Sequence, residues 1–147
     1  MSEPRLASIV VGVDDSPGSR YALDLAAAIG GALRATMTIV HVRPQSAAFG
    51  LGPEGSIEYS AAQDELDRVV AAEVSSRLAD FAGTWSMQVR SGNVGRELMA
   101  AADEVDADLV VVGHSRHGAL RDAVLGSTAA SAVHHSRRSV LVAIPPA

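Results

Sequence analysis

The chain has no cysteine. That excludes a disulfide framework, thiolate chemistry and the cysteine sets of structural zinc. Aromatic residues are scarce, with one Trp, two Tyr and two Phe in 147 residues, so Ala, Val and Leu must build the interior. There is no excess of positive charge: 17 acidic residues against 12 basic ones leave a net charge of −5. This balance argues against a nucleic-acid partner, though a local anion site remains open. No apolar run is long enough to span a bilayer, and no basic segment leads into an apolar stretch and cleavage site near the N-terminus. The expected compartment is therefore the cytoplasm, with no membrane partner. There is no G-x-x-x-x-G-K-[ST] loop, no G-x-S-x-G elbow and no H-E-x-x-H pair, so P-loop, nucleophile-elbow and zincin chemistry lack their signatures.

What is present is a regular alternation of apolar runs and helical periodicities. The length suits one domain spanning residues 1–147. Ser8 to Val13 reads as a strand buried on both faces. After the turn Asp14-Asp15-Ser16-Pro17-Gly18, a helix capped by Ser16 or Ser19 carries Tyr21, Leu23, Leu25 and Ile29 and is expected to stop at Gly30-Gly31. Ala35 to Val42 is a second strand. Arg43 to Ser60, with Pro44, Gly50, Gly52, Pro53 and Gly55, is expected to be a long loop. Helical spacing returns from Ala61 to Phe81 and ends before Gly83. A strand at Trp85–Val89, a helix at Gly95–Val105, a dry strand at Leu109–Val112, a short helix at Ser127–His135 and a last strand at Ser139–Ile144 complete the chain. Helical stretches separate the strands, which predicts a parallel sheet with right-handed crossovers. In such sheets, ligands bind beyond the C-terminal strand ends. Asp14, His41, Gly92 and Gly113 stand at four such ends and are expected to share one rim.

The residues richest in chemistry follow the dry strand. Gly126-Ser127-Thr128 opens a helix, where a glycine admits a ligand to the backbone and hydroxyls add to the helix's unpaired donors. The bland alternative is a cap in which Ser127 serves its own first turn. Pairing with Gly113 favours the anion site. Arg116 offers a guanidinium that can fork onto phosphate, or it simply faces water. Asp14 is a candidate for a ribose hydroxyl, an adenine amino group or Mg²⁺, or else for a local turn, with Asp15 expected as the helix cap. Val13 and Val40 would flank a base, or are plain core. His41, His134 and His135 carry neither a catalytic nor a metal-ligand pattern, so no catalytic residue and no metal ligand is assigned.

Ile9-Val10-Val11-Gly12-Val13-Asp14-Asp15-Ser16-Pro17, Ala107-Asp108-Leu109-Val110-Val111-Val112-Gly113, Leu125-Gly126-Ser127 and Ser139-Val140-Leu141-Val142-Ala143-Ile144-Pro145 together resemble the universal stress protein family. The resemblance covers nearly the whole chain. It implies an α/β three-layer sandwich of the adenine nucleotide alpha hydrolase-like kind, with a five-stranded parallel sheet of order 3-2-1-4-5. It also implies a homodimer through the last strand, Ser139–Ile144, whose uncovered edge would otherwise invite aggregation. The family's ATP-binding branch carries Gly, two residues, Gly, nine residues, then Gly and Ser or Thr. Gly113, Gly126 and Ser127 match. Arg116 stands in place of the second glycine, with Gly118 two residues further on. By the same resemblance Asp14 lies near ribose and adenine, Val13 and Val40 beside the base, and Gly92 in a loop near the nucleotide.

The expected function is a cytoplasmic stress protein that binds ATP, with or without Mg²⁺, or a related adenine nucleotide. It would hydrolyse it slowly or not at all and regulate an unidentified protein partner. Three alternatives stand beside it: a nucleotide-independent interaction protein, a cyclic-nucleotide sensor, and an enzyme that uses ATP to activate a substrate.

Overall fold

The computed structural model describes residues 3–43, 50–114 and 126–146. Nine elements follow in order: β1 (Ser8–Val13), α1 (Pro17–Leu33), β2 (Thr36–Arg43), α2 (Gly52–Arg77), β3 (Thr84–Ser91), α3 (Val94–Glu104), β4 (Leu109–Gly113), α4 (Ser127–His135) and β5 (Val140–Ala143). The strands form a five-stranded sheet ordered β3-β2-β1-β4-β5, and each neighbouring pair is parallel.

Alternation along the strands divides the core in two. Ile9, Val11 and Val13 pack with Met37, Ile39 and Val111 against Ala22, Leu23 and Ala26 of α1 and Val70 and Val74 of α2. Val10, Val40 and Val42 pack with Val110 and Val112 against Leu98 and Met99 of α3 and Ala129 and Ala132 of α4. The central strands are thus apolar on both faces because each face is covered by two helices. The chain runs outward from β1 to β2 and β3, then resumes on the other side of β1 with β4. The β1–β4 exit is therefore the point of reversal where an open crevice forms.

Two helices depart from expectation. Helix α1 does not stop at Gly30-Gly31 but runs on to Leu33. The left-handed capping residue is Arg34, φ 53°, whose amide turns back on the Gly30 and Gly31 carbonyls. The expected loop from Arg43 to Ser60 is largely helix, since α2 begins at Gly52. Proline is tolerated in a first helical turn, where its missing N–H has no intrahelical partner to lose, and Glu54 suits the positive end of the helix. Pro53 and Gly55 are therefore part of a helix start rather than loop punctuation. At the other end, α2 closes at Arg77, short of Phe81.

Candidate functional site

A cavity of about 450 Å³ opens at the C-terminal ends of β1, β2 and β4. Val13 and Asp14 of the β1 exit lie between Val40, His41 and Val42 of β2 on one side and Gly113 of β4 on the other. Above the β2 end, α2 contributes Tyr59, Gln63 and Leu66; beside the β4 end, α4 contributes Ser127 and Thr128; Val94 and Leu98 of α3 close the wall.

The β1 exit is held firmly. Ser16 caps α1, its hydroxyl accepting from the Ser19 amide at 3.2 Å, and the Ser19 hydroxyl in turn accepts from the Asp14 amide at 2.8 Å. Asp15, expected as the cap, instead pairs with Arg20 at 2.7 Å. The exposed Asp14 carboxylate makes no hydrogen bond or ion pair among the described residues and borders the cavity.

At the opposite wall, the α4 cap residue is Gly126, φ −57° and ψ 160°, which has no side chain to give the first turn. Ser127 is the first helical residue, so the self-capping alternative fails. The amides opening α4 have no intrahelical acceptor, and the Ser127 and Thr128 side chains stand with them at the cavity. Gly113 has a different role from the one its motif suggests. A Cβ there would lie 2.4 Å from the Gly18 carbonyl oxygen, and a Cβ on Gly18 would lie 2.4 Å from that of His114. The glycines let the start of α1 touch the end of β4, which sets the cavity's back wall.

His41, only 3 % exposed, ties the floor to α2. Its Nδ1 lies 3.0 Å from the Val13 carbonyl oxygen, and its Nε2 lies 3.3 Å from Asp67 Oδ1. The second contact is within ion-pair range but poorly aligned, so both atoms are buried without a hydrogen-bond partner. Asp67 also pairs closely with Arg43, which reaches Asp64 at 2.8 Å as well. Hydrogen bonds to Asp67 and then Asp64 raise the Arg43 pKa, fixing the guanidinium charge at the cavity's edge.

Of the residues expected at a nucleotide site, the cavity gathers Val13, Asp14, Val40, Gly113, Ser127 and Thr128. Gly126 adjoins them as the α4 cap. Gly92 ends β3 at φ 137°, packs against Glu97 and is not among the lining residues, so the expected shared rim has three strand ends rather than four. Arg116 and Gly118 lie outside the described residues. Sequence reasoning missed Tyr59, Gln63 and Leu66, because they fall in or just beyond the stretch read as loop; their four- and three-residue spacing was the available signal. The run Gly50-Leu51-Gly52-Pro53-Glu54-Gly55 has G-x-G-x-x-G spacing. Pro53 lacks an amide donor and Glu54 brings a carboxylate, so it makes a poor phosphate cradle.

Residues 6–143 match the sequence model described as Universal stress protein family. Universal stress protein A homolog 1 of Coxiella burnetii is 30% identical over 139 residues, covering 90% of this chain and 92% of that protein. A universal stress protein of Mycolicibacterium smegmatis is 32% identical over 140 residues, 91% of this chain but 47% of its own length, so the chain spans about half of that relative. Among solved structures, a universal stress protein described as in complex with cAMP superposes with a TM-score of 0.67 at 25% identity, over 95% of this chain and 97% of that one.

Proposed function

The chain belongs to the universal stress protein family, and on that premise we propose that it binds ATP or a related adenine nucleotide in the cavity over β1. In this reading it is a cytoplasmic homodimer, joined through Ser139–Ile144, that couples nucleotide occupancy to a protein partner and turns the nucleotide over slowly or not at all. The observation that carries the reading is the uncapped start of α4 facing an apolar strand end across one cavity.

The assignment of parts follows the strand order. The phosphates belong at the α4 end, where Gly126, Ser127 and Thr128 offer amides and hydroxyls. The base belongs at the β2 end, against Val13 and Val40. Asp14, between the two, suits the ribose hydroxyls. Adjacent strands are about 4.8 Å apart, so β2 to β4 spans roughly 10 Å, a distance a nucleotide can bridge. Arg116 would join the phosphates through its guanidinium. Mg²⁺, when bound, would neutralise and bridge phosphate oxygens, and Asp14 is the carboxylate nearest that task. Slow turnover is in keeping with His41, whose ring nitrogens face Val13 and Asp67 rather than free space.

A second reading, cyclic AMP as the ligand, is favoured by the relative described as in complex with cAMP. The test is to identify the nucleotide retained after native purification, then to titrate stripped protein with ATP, AMP and cyclic AMP while following Tm. A ligand held at 100 times its Kd stabilises by about 2.7 kcal/mol. Gly126→Leu should abolish retention with the fold intact. Equal retention by that variant, or no Tm response to any adenylate, overturns the proposal.

A further inference from the structure

We infer that Gln63 is a specificity-determining residue that reads the 6-amino edge of a bound adenine. The inference rests on the adenine-nucleotide reading above and extends it to a residue from α2, outside the strand ends and the α4 start.

The cavity has two chemically different ends. The β4 end carries the α4 donors suited to anions. The β2 end is apolar, from Val40, Val42 and Leu66, and Gln63 brings a carboxamide to its lining. A carboxamide presents a donor and an acceptor side by side. Adenine's exocyclic amine and its neighbouring ring nitrogen present the complementary pair, and glutamine makes this bidentate match to adenine in other settings. Among the described residues the Gln63 side chain is drawn into no hydrogen bond, so its pairing capacity is not already spent within the protein.

The placement of Gln63 is fixed by the turn that follows it. Asp67, four residues on and hence on the same helix face, faces His41 and pairs with Arg43. Val70 and Val74, further along that face, are buried in the core. These anchors hold α2 against the exit of β2, so Gln63 is presented by a rigid element rather than by a loop. Its neighbours along the cavity wall favour a flat apolar ring, and its own polarity selects which ring.

The experiment is a ligand–protein cycle on the full chain, stripped of nucleotide. ATP is compared with purine riboside triphosphate, which lacks the exocyclic amine, by isothermal titration against wild type, Gln63→Leu and Gln63→Glu. Wild type should prefer ATP by about tenfold, the scale of one good bidentate pair. Gln63→Leu should bind the two ligands within about twofold, as expected when a coupled pair loses one partner. Gln63→Glu keeps the size but loses the donor, so its preference should fall as well. A preference unchanged in both variants overturns the inference, as does a wild type that binds the two ligands equally while still binding ATP. A wild type that binds neither ligand fails the nucleotide reading itself, and this inference with it. Unchanged circular dichroism and Tm in the ligand-free variants establish that the effect is on recognition.

Discussion

Single residues in this chain carry reasons that the motif around them does not announce. Gly113 is legible in the sequence as a strand-end glycine, yet its hydrogen fills the only room left beside the Gly18 carbonyl. Gly113→Ala should therefore destabilise the ligand-free protein by about 1–3 kcal/mol, the usual cost of forcing an extra carbon into a packed contact, as read by urea denaturation. Loss of nucleotide binding in that variant would say little about phosphate contacts. Ser127 and Thr128 make the cleaner pair. Ser127 is exposed and Thr128 half-buried at the cavity, so Ser127→Ala with Thr128→Val should change ligand-free stability by no more than about 0.5 kcal/mol while shrinking the Tm gain from adenylates. An unchanged gain would remove the hydroxyls from the site. The part of the site that could be read in advance is the part made of strand ends, Val13, Asp14 and Val40, because a buried strand declares its end by the first polar residue. The Ser19 hydroxyl on the Asp14 amide depends on a turn's geometry, which composition does not encode.

At the scale of elements, the strands were all legible to within a residue or two, since runs of Val and Ile between glycines and acids have few other uses in a chain this size. Helix α2 was not. Its first half, Gly52 to Ser60, is almost wholly solvent-facing, with Ile57 70 % exposed, so no amphipathic stripe marks it and only its proline and glycines stand out. What holds the helix over the cavity is polar: Asp67 toward His41 and Arg43, with Asp64 on the same guanidinium. Asp67→Ala leaves the buried His41 Nε2 facing nothing and takes one carboxylate from Arg43. The expected cost is about 1–3 kcal/mol, typical of a buried polar group losing its partner. Amide hydrogen exchange should quicken through residues 59–67 more than in α1 or α3. Uniform exchange across the helices would mean that apolar packing at Val70 and Val74 alone fixes α2.

Two properties belong to the whole molecule. Its surface is laced with arginine–carboxylate pairs that join separate elements: Arg77 bonds Glu73 and reaches Asp24 of α1 at 2.6 Å, while Arg137 and Arg138 both bond Asp103 of α3. Hydrogen bonds from Arg77 lower the Glu73 pKa, and those from Arg137 and then Arg138 lower that of Asp103. A carboxyl with a lower pKa folded than unfolded gives its stabilisation fully above the unfolded value, about 4, and loses it as pH falls through the folded value. Tm should fall on acidification below about pH 4, less steeply in Glu73→Gln with Asp103→Asn and less steeply in high salt, since both groups are exposed. An acid limb identical in the double variant would trace the loss to other carboxylates. The second property is the edge. No strand covers the outer side of β5 among the described residues. The carbonyls of Ser139 and Ala143 accept from Val110 and His114 of β4, so the alternating residues Val140 and Val142 turn their N–H and C=O groups outward. If the proposed dimer forms there, those outward groups are its ladder. Proline at an edge strand's outward position removes a donor from any added strand without touching the inner ladder. Val142→Pro should then sediment as a monomer at concentrations where wild type is a dimer, with its circular dichroism retained. A dimer that survives this substitution must be built on some other face.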